Sequence, residues 1–430
     1  MRILLANPAL DDGGIGTYAT ELINALSKDH ELIVVLPDDK KRPITAPGVK
    51  VLYHDPQVLS KKNALFFINL INEELKPDLV ISSKAEIIPV IAPYISNDIR
   101  VMTVSHSGKG HASEYSAINH KYLDNIIAAS SDYNKEYLER KYHIKDKTKI
   151  KVIYNFVARD NELEALRDEK KQREVVHIIY AGGPLPGKNP NLVLQILCDL
   201  VKTDLNFKFY WSGGTKLPIP KKIAKCFKLN DVRQFFQEDD RIVFAGRIDP
   251  IEEFIRFVST PNILLNPSRN EGCSMLLLQA LRSGSICVVG DFLHSNREIV
   301  ERGNCGFVVD HHSPQAFVDK LADIITHHEE YIQLYENAHD TFEKHLTYSV
   351  WKQSLDELLA GKLNHKDRKQ KVSNLRLSWD LYKMKALVRR TIRTAHANMI
   401  SSCCMYYWQA LKMKLKGDFP LKHRRLNHAV

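Results

Sequence analysis

Short apolar runs alternate with helical patterns along this chain, and that alternation restricts the fold more than any other feature of the sequence. The apolar runs have the length of buried strands, and the segments between them repeat apolar residues every three to four positions. This order predicts a parallel, doubly wound sheet covered by helices. In the first third of the chain the predicted elements are the strands Ile3–Ala6, Glu31–Leu36, Leu79–Ser82, Arg100–Val104 and Asn125–Ala129, and the helices Thr17–Leu26 and Ala64–Leu75.

The same order starts again after a charged stretch at residues 159–173. With 430 residues, the chain is also longer than one hydrophobic core usually organises. We therefore predict an α/β protein with two Rossmann-like domains, residues 1–158 and 174–362, facing a central cleft. Any ligand is expected in this cleft, at the carboxyl ends of both sheets. The second set of elements comprises the strands Glu174–Tyr180, Asn206–Ser212, Arg241–Phe244, Ile263–Leu265 and Ser285–Val289, and the helix Asn191–Val201.

The composition is typical of a cytoplasmic globular protein. Hydrophobic residues make up 44% and charged residues 26% of the chain, and no segment approaches the roughly 20 apolar residues that span a bilayer. The first six residues are too short for a signal-peptide core and match a first strand. The seven cysteines are scattered without metal-ligand spacing, which predicts reduced, mostly buried thiols.

Positive charge is concentrated at the C-terminus. Residues 363–430 contain 16 of the 61 Lys and Arg but 3 of the 51 Asp and Glu, a local balance of +13. Because the whole chain carries +10, residues 1–362 carry about −3. A near-neutral body argues against a nucleic-acid partner and gives residues 363–430 a separate role as a basic tail.

This tail has an amphipathic helical pattern that supports two interpretations. A helix lying on anionic lipid, at the inner face of the plasma membrane, explains the pattern, and a helix docked on the body explains it nearly as well. The apolar stripe is Leu377, Leu381, Met384, Val388, Ile392, Ala395 and Met399; Arg376, Lys383, Arg389, Arg390 and Arg393 lie mostly opposite, and Trp379, Tyr406, Tyr407 and Trp408 add aromatic rings.

Glu271 lies between a predicted strand, Ile263–Leu265, and a predicted helix, Leu276–Arg282. It would therefore sit beside the free backbone N–H groups of a helix N-terminus, which attract phosphate oxygens. Glu271 would reach past them to hydroxyl groups on the molecule that carries the phosphates. The simpler alternative is an acid that only complements the helix dipole.

Four further segments lie at loops where a ligand is expected. The glycines of Gly13-Gly14-Ile15-Gly16 allow close approach of an anion, although a plain tight turn explains them equally well. Lys188 ends the loop Ala181–Asn189 as a compact charge suited to a diphosphate, and His106 follows a strand, where it can polarise a hydroxyl. Surface roles are the alternatives for both. The loop Gly246-Arg247-Ile248 could border a base, whereas Asp239-Asp240 is better explained as a solvated turn than as a metal site.

Taken in order, these segments resemble the family-4 retaining glycosyltransferases of the GT-B fold. The resemblance covers roughly residues 1–360 and includes two further stretches, Asp124–Ser130 and Lys151–Asn155. It implies metal-independent transfer of a hexose or N-acetylhexosamine, with retention, from a nucleotide diphosphate-sugar, with a UDP-sugar as the expected donor and no other cofactor. The implied acceptor is a surface glycan or glycolipid, as in lipopolysaccharide or capsule biosynthesis.

The resemblance also implies roles for individual residues. Glu271, His106 and Lys188 would be catalytic: Glu271 binds donor-sugar hydroxyls, His106 contacts the sugar near its reacting end, and Lys188 neutralises the diphosphate. The implied donor-binding residues are Gly14, Gly16, Arg247, Ser274, Met275, Leu276 and Gln279.

Two positions depart from the family pattern. Gln279 stands where the family usually has a ribose-binding Glu, and Gly183 stands where it usually has an Arg of the phosphate clamp. A catalytically weak sugar-nucleotide-binding or scaffold protein is therefore the alternative function. A nicotinamide oxidoreductase is disfavoured because neither half contains G-x-G-x-x-G.

Overall fold

A computed structural model of the chain contains two parallel sheets, each covered by helices. The structure describes residues 1–6, 10, 14–37, 44–108, 111–183, 185–215, 231, 233, 236, 239–292, 294–361, 368 and 376–389. Gly13, Pro184, most of the basic tail and the cysteines at 226, 403 and 404 lie outside these residues. Cys198, Cys273, Cys287 and Cys305 are buried free thiols, as expected.

The first domain contains a seven-stranded sheet in the order β3-β2-β1-β4-β5-β6-β7, with all strands parallel. Apolar side chains from both faces of this sheet are buried beneath the helices. The strands are β1 Arg2–Ala6, β2 Glu31–Leu36, β3 Lys50–Tyr53, β4 Leu79–Ser83, β5 Arg100–Ser105, β6 Asn125–Ala128 and β7 Ile150–Val152. The helices are α1 Gly14–Asp29, α2 Lys61–Asn69, which continues as a π-helical turn, α3 Ile87–Ile91, α4 His111–Glu114 and α5 Asp132–Tyr142.

The second domain contains a six-stranded parallel sheet in the order β10-β9-β8-β11-β12-β13. Its strands are β8 Val176–Ala181, β9 Phe207–Ser212, β10 Ile242–Gly246, β11 Ile263–Asn266, β12 Ile286–Gly290 and β13 Gly306–Val309. Its helices are α6 Asn161–Lys171, α7 Pro190–Leu200, α8 Ile251–Ser259, α9 Met275–Arg282, α10 Ser295–Gly303, α11 Pro314–Thr326 and α12 Ile332–His345.

Both sheets have the strand order of a Rossmann-like domain, which confirms the predicted fold class. The order reverses between β1 and β4 in the first sheet and between β8 and β11 in the second. Loops that leave the carboxyl ends of adjacent strands on opposite sides of such a point form a crevice. This topology therefore brings the loops with Gly14, Lys188 and Glu271 to the two crevices.

The chain returns to the first domain after α12. Helix α13, Tyr348–Ala360, buries Trp351 and Leu355 against the core of the first sheet. The Arg100 guanidinium donates to the backbone carbonyls of Leu359, at 2.6 Å, and Leu358, at 3.0 Å. These bonds satisfy carbonyls at the end of the helix and fix it across the first domain.

The described part of the tail is one helix, residues 376–389, which we label α14. Its stripe residues Leu377, Leu381 and Met384 are buried in the core of the first domain. Upstream, Arg368 forms a fully buried ion pair with Asp124 at 3.0 Å. The docked interpretation therefore describes this part of the tail, and stripe positions from 392 onward lie outside the described residues. None of the described helices combines the length and apolar character needed to cross a membrane.

Candidate active site

Lys188 and Glu271 form an ion pair between two loops of the second domain. The Lys188 ammonium donates to Glu271 Oε1 at 2.6 Å, and their side chains are 32% and 10% exposed. Lys188 comes from the loop after β8 and Glu271 from the loop after β11, so the pair spans the switch point of the sheet. Each residue holds the other in place, and each neutralises the other's charge.

Backbone contacts hold these two loops together. Asn189 has a left-handed backbone, with φ 56°, and ends the turn that carries Lys188. Its side-chain amide donates to the Pro267 carbonyl at 3.2 Å. In the other direction, the Arg269 N–H donates to the Gly187 carbonyl at 2.8 Å. The position of the Lys188 ammonium is therefore determined by the loop that carries its partner.

The N-terminus of α9 follows Glu271 by four residues. Ser274 occupies the N-cap position without a side-chain hydrogen bond to the first turn. The first N–H groups of an α-helix have no intrahelical partner, so the amides of Met275 and Leu276 can serve an anion. Gly14, at the start of α1, lies opposite them, because a β-carbon there would come within 3.6 Å of Met275 Cγ. Gly16 is buried two residues further along α1.

The two domains touch beside Glu271. A β-carbon on Gly272 would overlap the backbone carbonyl oxygen of His106 in the first domain. The Asn155 amide donates to the Cys273 carbonyl at 3.1 Å, and the Ser295 hydroxyl donates to the Gly272 carbonyl. These bonds fix the backbone of the Glu271 loop from both domains.

His106 is a buried, neutral imidazole on the first-domain side. Its Nε2 atom hydrogen-bonds the Ser83 hydroxyl at 2.8 Å, and its ring meets Tyr18 edge-on with centroids 5.0 Å apart. Burial, with a smaller contribution from the charge of Lys84, lowers the pKa of His106 to about 3. A group that remains neutral in the physiological range can orient a hydroxyl, but it cannot supply a charge to a phosphate.

A cavity of about 690 Å³ opens at the carboxyl ends of β8, β9 and β10. Its walls include Gly182 and Gly183 from one loop, Gly213 from the next and Arg247 from the third. Gly213 has φ +104°, and its N–H donates to the Gly246 carbonyl at 2.7 Å, so the loops approach closely. The size is within the usual range for small-molecule sites. Arg247 lies at the rim, where it pairs with Asp249 at 2.7 Å.

Gln279 is one turn into α9 and is 8% exposed. Its Oε1 atom is buried and has no hydrogen-bond partner among the described residues. A buried carbonyl without a hydrogen-bond partner destabilises the folded protein, and a ligand hydroxyl that donated to it would remove this cost.

The structure therefore brings most of the predicted site residues to one cleft. Six of them meet where the two domains touch: Glu271, Lys188, Ser274, Met275, His106 and Gly14. Gly16 and Leu276 belong to the first turns of α1 and α9, and Gln279 follows one turn into α9. Arg247 lies in the adjoining cavity. At the amino end of β10, away from the cleft, Asp239 pairs with Arg241 at 2.8 Å and Asp240 with Lys208 at 3.4 Å, as in an ordinary salt-bridged turn.

One interdomain contact was not predicted from the sequence. The buried Glu298 carboxylate of α10 accepts the backbone N–H groups of Asp132, at 3.1 Å, and Tyr133, at 3.2 Å, in the first domain. It also accepts the hydroxyl of Tyr154, and it pairs with Arg302 at 3.4 Å. An acid from the second domain thus caps α5 of the first. Residues 166 positions apart share no local sequence pattern, so only the fold reveals this contact.

Two protein-family models match the chain in adjacent segments. The model of glycosyltransferase family 4 matches residues 12–161, and that of glycosyl transferases group 1 matches residues 161–341. Comparison with curated protein sequences gives no match.

Solved structures share the fold at low identity. Anabaena Alr3699/HepE, in complex with UDP, is 13% identical with a TM-score of 0.65, covering 84% of this chain and 100% of that one. The lipopolysaccharide outer core galactosyltransferase WaaB, in its apo form, is 17% identical with a TM-score of 0.60, covering 84% and 99%. A glycosyltransferase from Rickettsia africae is 15% identical with a TM-score of 0.62, covering 84% and 99%.

These likenesses show the GT-B fold for the two domains described above. The two adjacent family matches together span residues 12–341, so the first domain matches glycosyltransferase family 4 and the second matches glycosyl transferases group 1.

Proposed function

We propose that this protein transfers a hexose or N-acetylhexosamine from a UDP-sugar to a surface glycan or glycolipid acceptor. The observation that carries this proposal is the Lys188–Glu271 pair beside the N-terminus of α9. A cation and free helix amides suit a diphosphate, and a fixed carboxylate suits the hydroxyls of the attached sugar. The name of one structural neighbour, WaaB, places that protein in lipopolysaccharide biosynthesis, which supports this acceptor class.

In the proposed complex, the donor occupies the second domain. The base lies in the cavity bordered by Arg247, and Gln279 accepts a hydrogen from a ribose hydroxyl. Lys188, Gly14 and the amides of Met275 and Leu276 contact the phosphates. Glu271 exchanges its bond to Lys188 for bonds to sugar hydroxyls when the diphosphate arrives, because the phosphates then compete for the ammonium.

The proposed reaction breaks the bond between the sugar and the diphosphate. Negative charge develops on the leaving phosphate, where Lys188 and the helix N-terminus are already positioned, so they stabilise the transition state without a metal. The acceptor hydroxyl attacks from the same face, with retention of configuration. His106 contributes a neutral hydrogen-bonding group near the reacting carbon.

The experiment that tests the proposal is a panel of nucleotide sugars assayed for hydrolysis and for transfer. Single replacements Lys188→Met and Glu271→Gln should each reduce turnover by about 100-fold and leave the fold intact. Near-wild-type turnover in both would exclude the assignment. Binding without turnover for every donor and acceptor would instead favour the alternative function, a sugar-nucleotide-binding scaffold. Gln279 and Gly183, which depart from the family pattern, are the reason for this alternative.

We also propose that the tail attracts an anionic membrane. Although its stripe is docked, α14 exposes Trp379 and Tyr382, whose rings stack with centroids 5.5 Å apart, and the Lys383 ammonium lies 5.5 Å from the Trp379 ring. Aromatic rings beside lysines suit a lipid headgroup region. Replacing both aromatic residues by serine should reduce the fraction of protein that sediments with anionic vesicles. Unchanged vesicle binding in this variant and in a variant without residues 363–430 would contradict the proposal.

A further inference from the structure

Lys84 is held in an unusual conformation at the carboxyl edge of the first sheet. It follows β4 directly, next to the switch point between β1 and β4. Its φ of +64° lies in the left-handed region, which residues other than Gly, Asn and Asp seldom adopt. Such conformations persist where the surroundings impose them, and they concentrate at functional sites.

A buried tyrosine imposes this conformation. The Lys84 N–H donates to the Tyr115 hydroxyl at 2.6 Å, and that hydroxyl donates to the Val104 carbonyl at 2.7 Å. Tyr115 is 1% exposed and belongs to a segment after β5. The adjacent residue, Ser83, is bonded to His106. Lys84 is therefore fixed beside the residue that meets the Glu271 loop.

Lys84 forms no ion pair with another described residue, although Glu86 lies close enough to act on the Tyr115 hydroxyl. The Lys84 side chain is half-buried, and in the part of the chain that the structure describes no carboxylate lies within ion-pair distance of it. Lys188, on the opposite wall, is already paired with Glu271. The charge of Lys84 acts on His106, whose pKa it helps to lower. Since His106 is neutral, Lys84 supplies positive charge to the first-domain side of the cleft, and an ammonium forms charge-assisted hydrogen bonds with an anion.

We propose that Lys84 binds an anionic group of the acceptor, a phosphate or a carboxylate close to the attacking hydroxyl. The inference rests on the proposed function, in which the donor occupies the second domain and the acceptor the first. Lys188, the glycine loop and the amides of α9 serve the donor diphosphate, so the charge on the facing wall is available to the other substrate. The acceptor class is therefore a phosphorylated or uronic sugar.

The test measures binding of glucose 6-phosphate, glucuronate and glucose by calorimetry, with and without UDP. We expect the wild-type protein to bind at least one of the two anionic sugars about 10-fold tighter than glucose. The anionic sugar that binds more tightly than glucose shows whether a phosphate or a carboxylate is the recognised group. Lys84→Asn should remove the preference, and Lys84→Arg should retain it. Asn tolerates the left-handed backbone, so loss of folding does not confuse the result.

The matched control is Lys145→Asn. Lys145 is exposed in the turn before β7, at the amino edge of the same sheet, and the change should leave the preference unaltered. The proposal is overturned if both anionic sugars bind the wild-type protein no better than glucose, or if Lys84→Asn keeps the preference. It is also overturned if Lys84→Asn weakens UDP binding instead, because the lysine would then serve the donor. Absence of UDP binding to the wild-type protein would contradict the proposed function, whereas the measurement without nucleotide would still decide the role of Lys84.

Discussion

Gly272 of the second domain packs against the backbone carbonyl of His106 in the first, with no room for a β-carbon between them. This contact lies one residue after Glu271. It brings the first-domain loop that carries the neutral His106 against the second-domain loop that carries the Glu271 carboxylate. The lack of a side chain at position 272 therefore sets how closely the two walls of the cleft approach.

Gly272→Ala should force the two loops apart while each domain stays folded. Because reacting groups on opposite walls would be displaced by an ångström or more, we expect turnover to fall by about 100-fold. The radius of gyration from small-angle scattering should increase. Gly187→Ala is the control, because nothing lies within 4 Å of a β-carbon there. Equal activity of the two variants would show that the contact is not needed.

The stability of the protein should depend on the protonation of His106. Its pKa is lowered from 6.5 to about 3 by burial and, to a smaller extent, by Lys84. Between these two pH values the unfolded chain binds a proton at His106 and the folded protein does not, so protonation favours unfolding. The stability that the neutral imidazole contributes is therefore complete above pH 6.5 and is lost as the pH falls towards 3. His106→Gln should therefore make the unfolding free energy depend less steeply on pH across that interval. Denaturant unfolding measures the slope, with exposed His312→Gln as the control; identical slopes for wild type and His106→Gln would contradict the assignment.

Gln279→Glu should destabilise the free protein and strengthen nucleotide binding. A carboxylate at this buried position costs about 1–3 kcal/mol without a partner. Ribose hydroxyls would then donate to a charged acceptor, and we expect UDP to bind about 10-fold tighter. Melting temperatures with and without UDP measure both effects. Gln333→Glu, exposed on α12, should show neither. A weaker UDP complex in Gln279→Glu would remove Gln279 from the ribose site.

Gly183→Arg should supply the second cation of a phosphate clamp. A β-carbon at Gly183 meets nothing within 4 Å, and the residue borders the cavity next to the loop of Lys188. We expect UDP affinity to rise by about 10-fold and to become more sensitive to salt. Calorimetry at two ionic strengths tests this, with Gly183→Gln separating charge from size. A gain in both variants, or in neither, would place the phosphates elsewhere.

The strand–helix alternation predicted most of both sheets, because buried parallel strands appear as continuous apolar runs. Three strands were not predicted: β3, β7 and β13. All three are edge strands of three or four residues, so their apolar signal is short and partly exposed. The apolar stripe in α14 was visible in the sequence, but the surface that it covers was not, because that depends on packing against distant residues.

In the candidate site, too, local sequence patterns predicted individual residues but not the contacts between distant segments. Loop position after a strand indicated Glu271, Lys188 and His106, since local patterns place such loops at the carboxyl edge of a parallel sheet. The hydrogen bond between Ser83 and His106 and the cap that Glu298 places on α5 join distant segments. No local pattern specifies such pairs.

The central claim is that Lys188 holds the diphosphate and Glu271 holds the sugar, and calorimetry of UDP and of the UDP-sugar that turns over tests it most directly. Lys188→Met should weaken UDP binding by about 10- to 100-fold. Glu271→Gln should leave UDP binding as tight or tighter, because the 2.6 Å ion pair no longer restrains the ammonium, but the UDP-sugar should lose any advantage over UDP. Lys202→Met, which breaks a surface pair with Asp199 in the same domain, should change neither affinity. Wild-type affinity for UDP in Lys188→Met, together with an intact preference for the UDP-sugar in Glu271→Gln, would contradict the account.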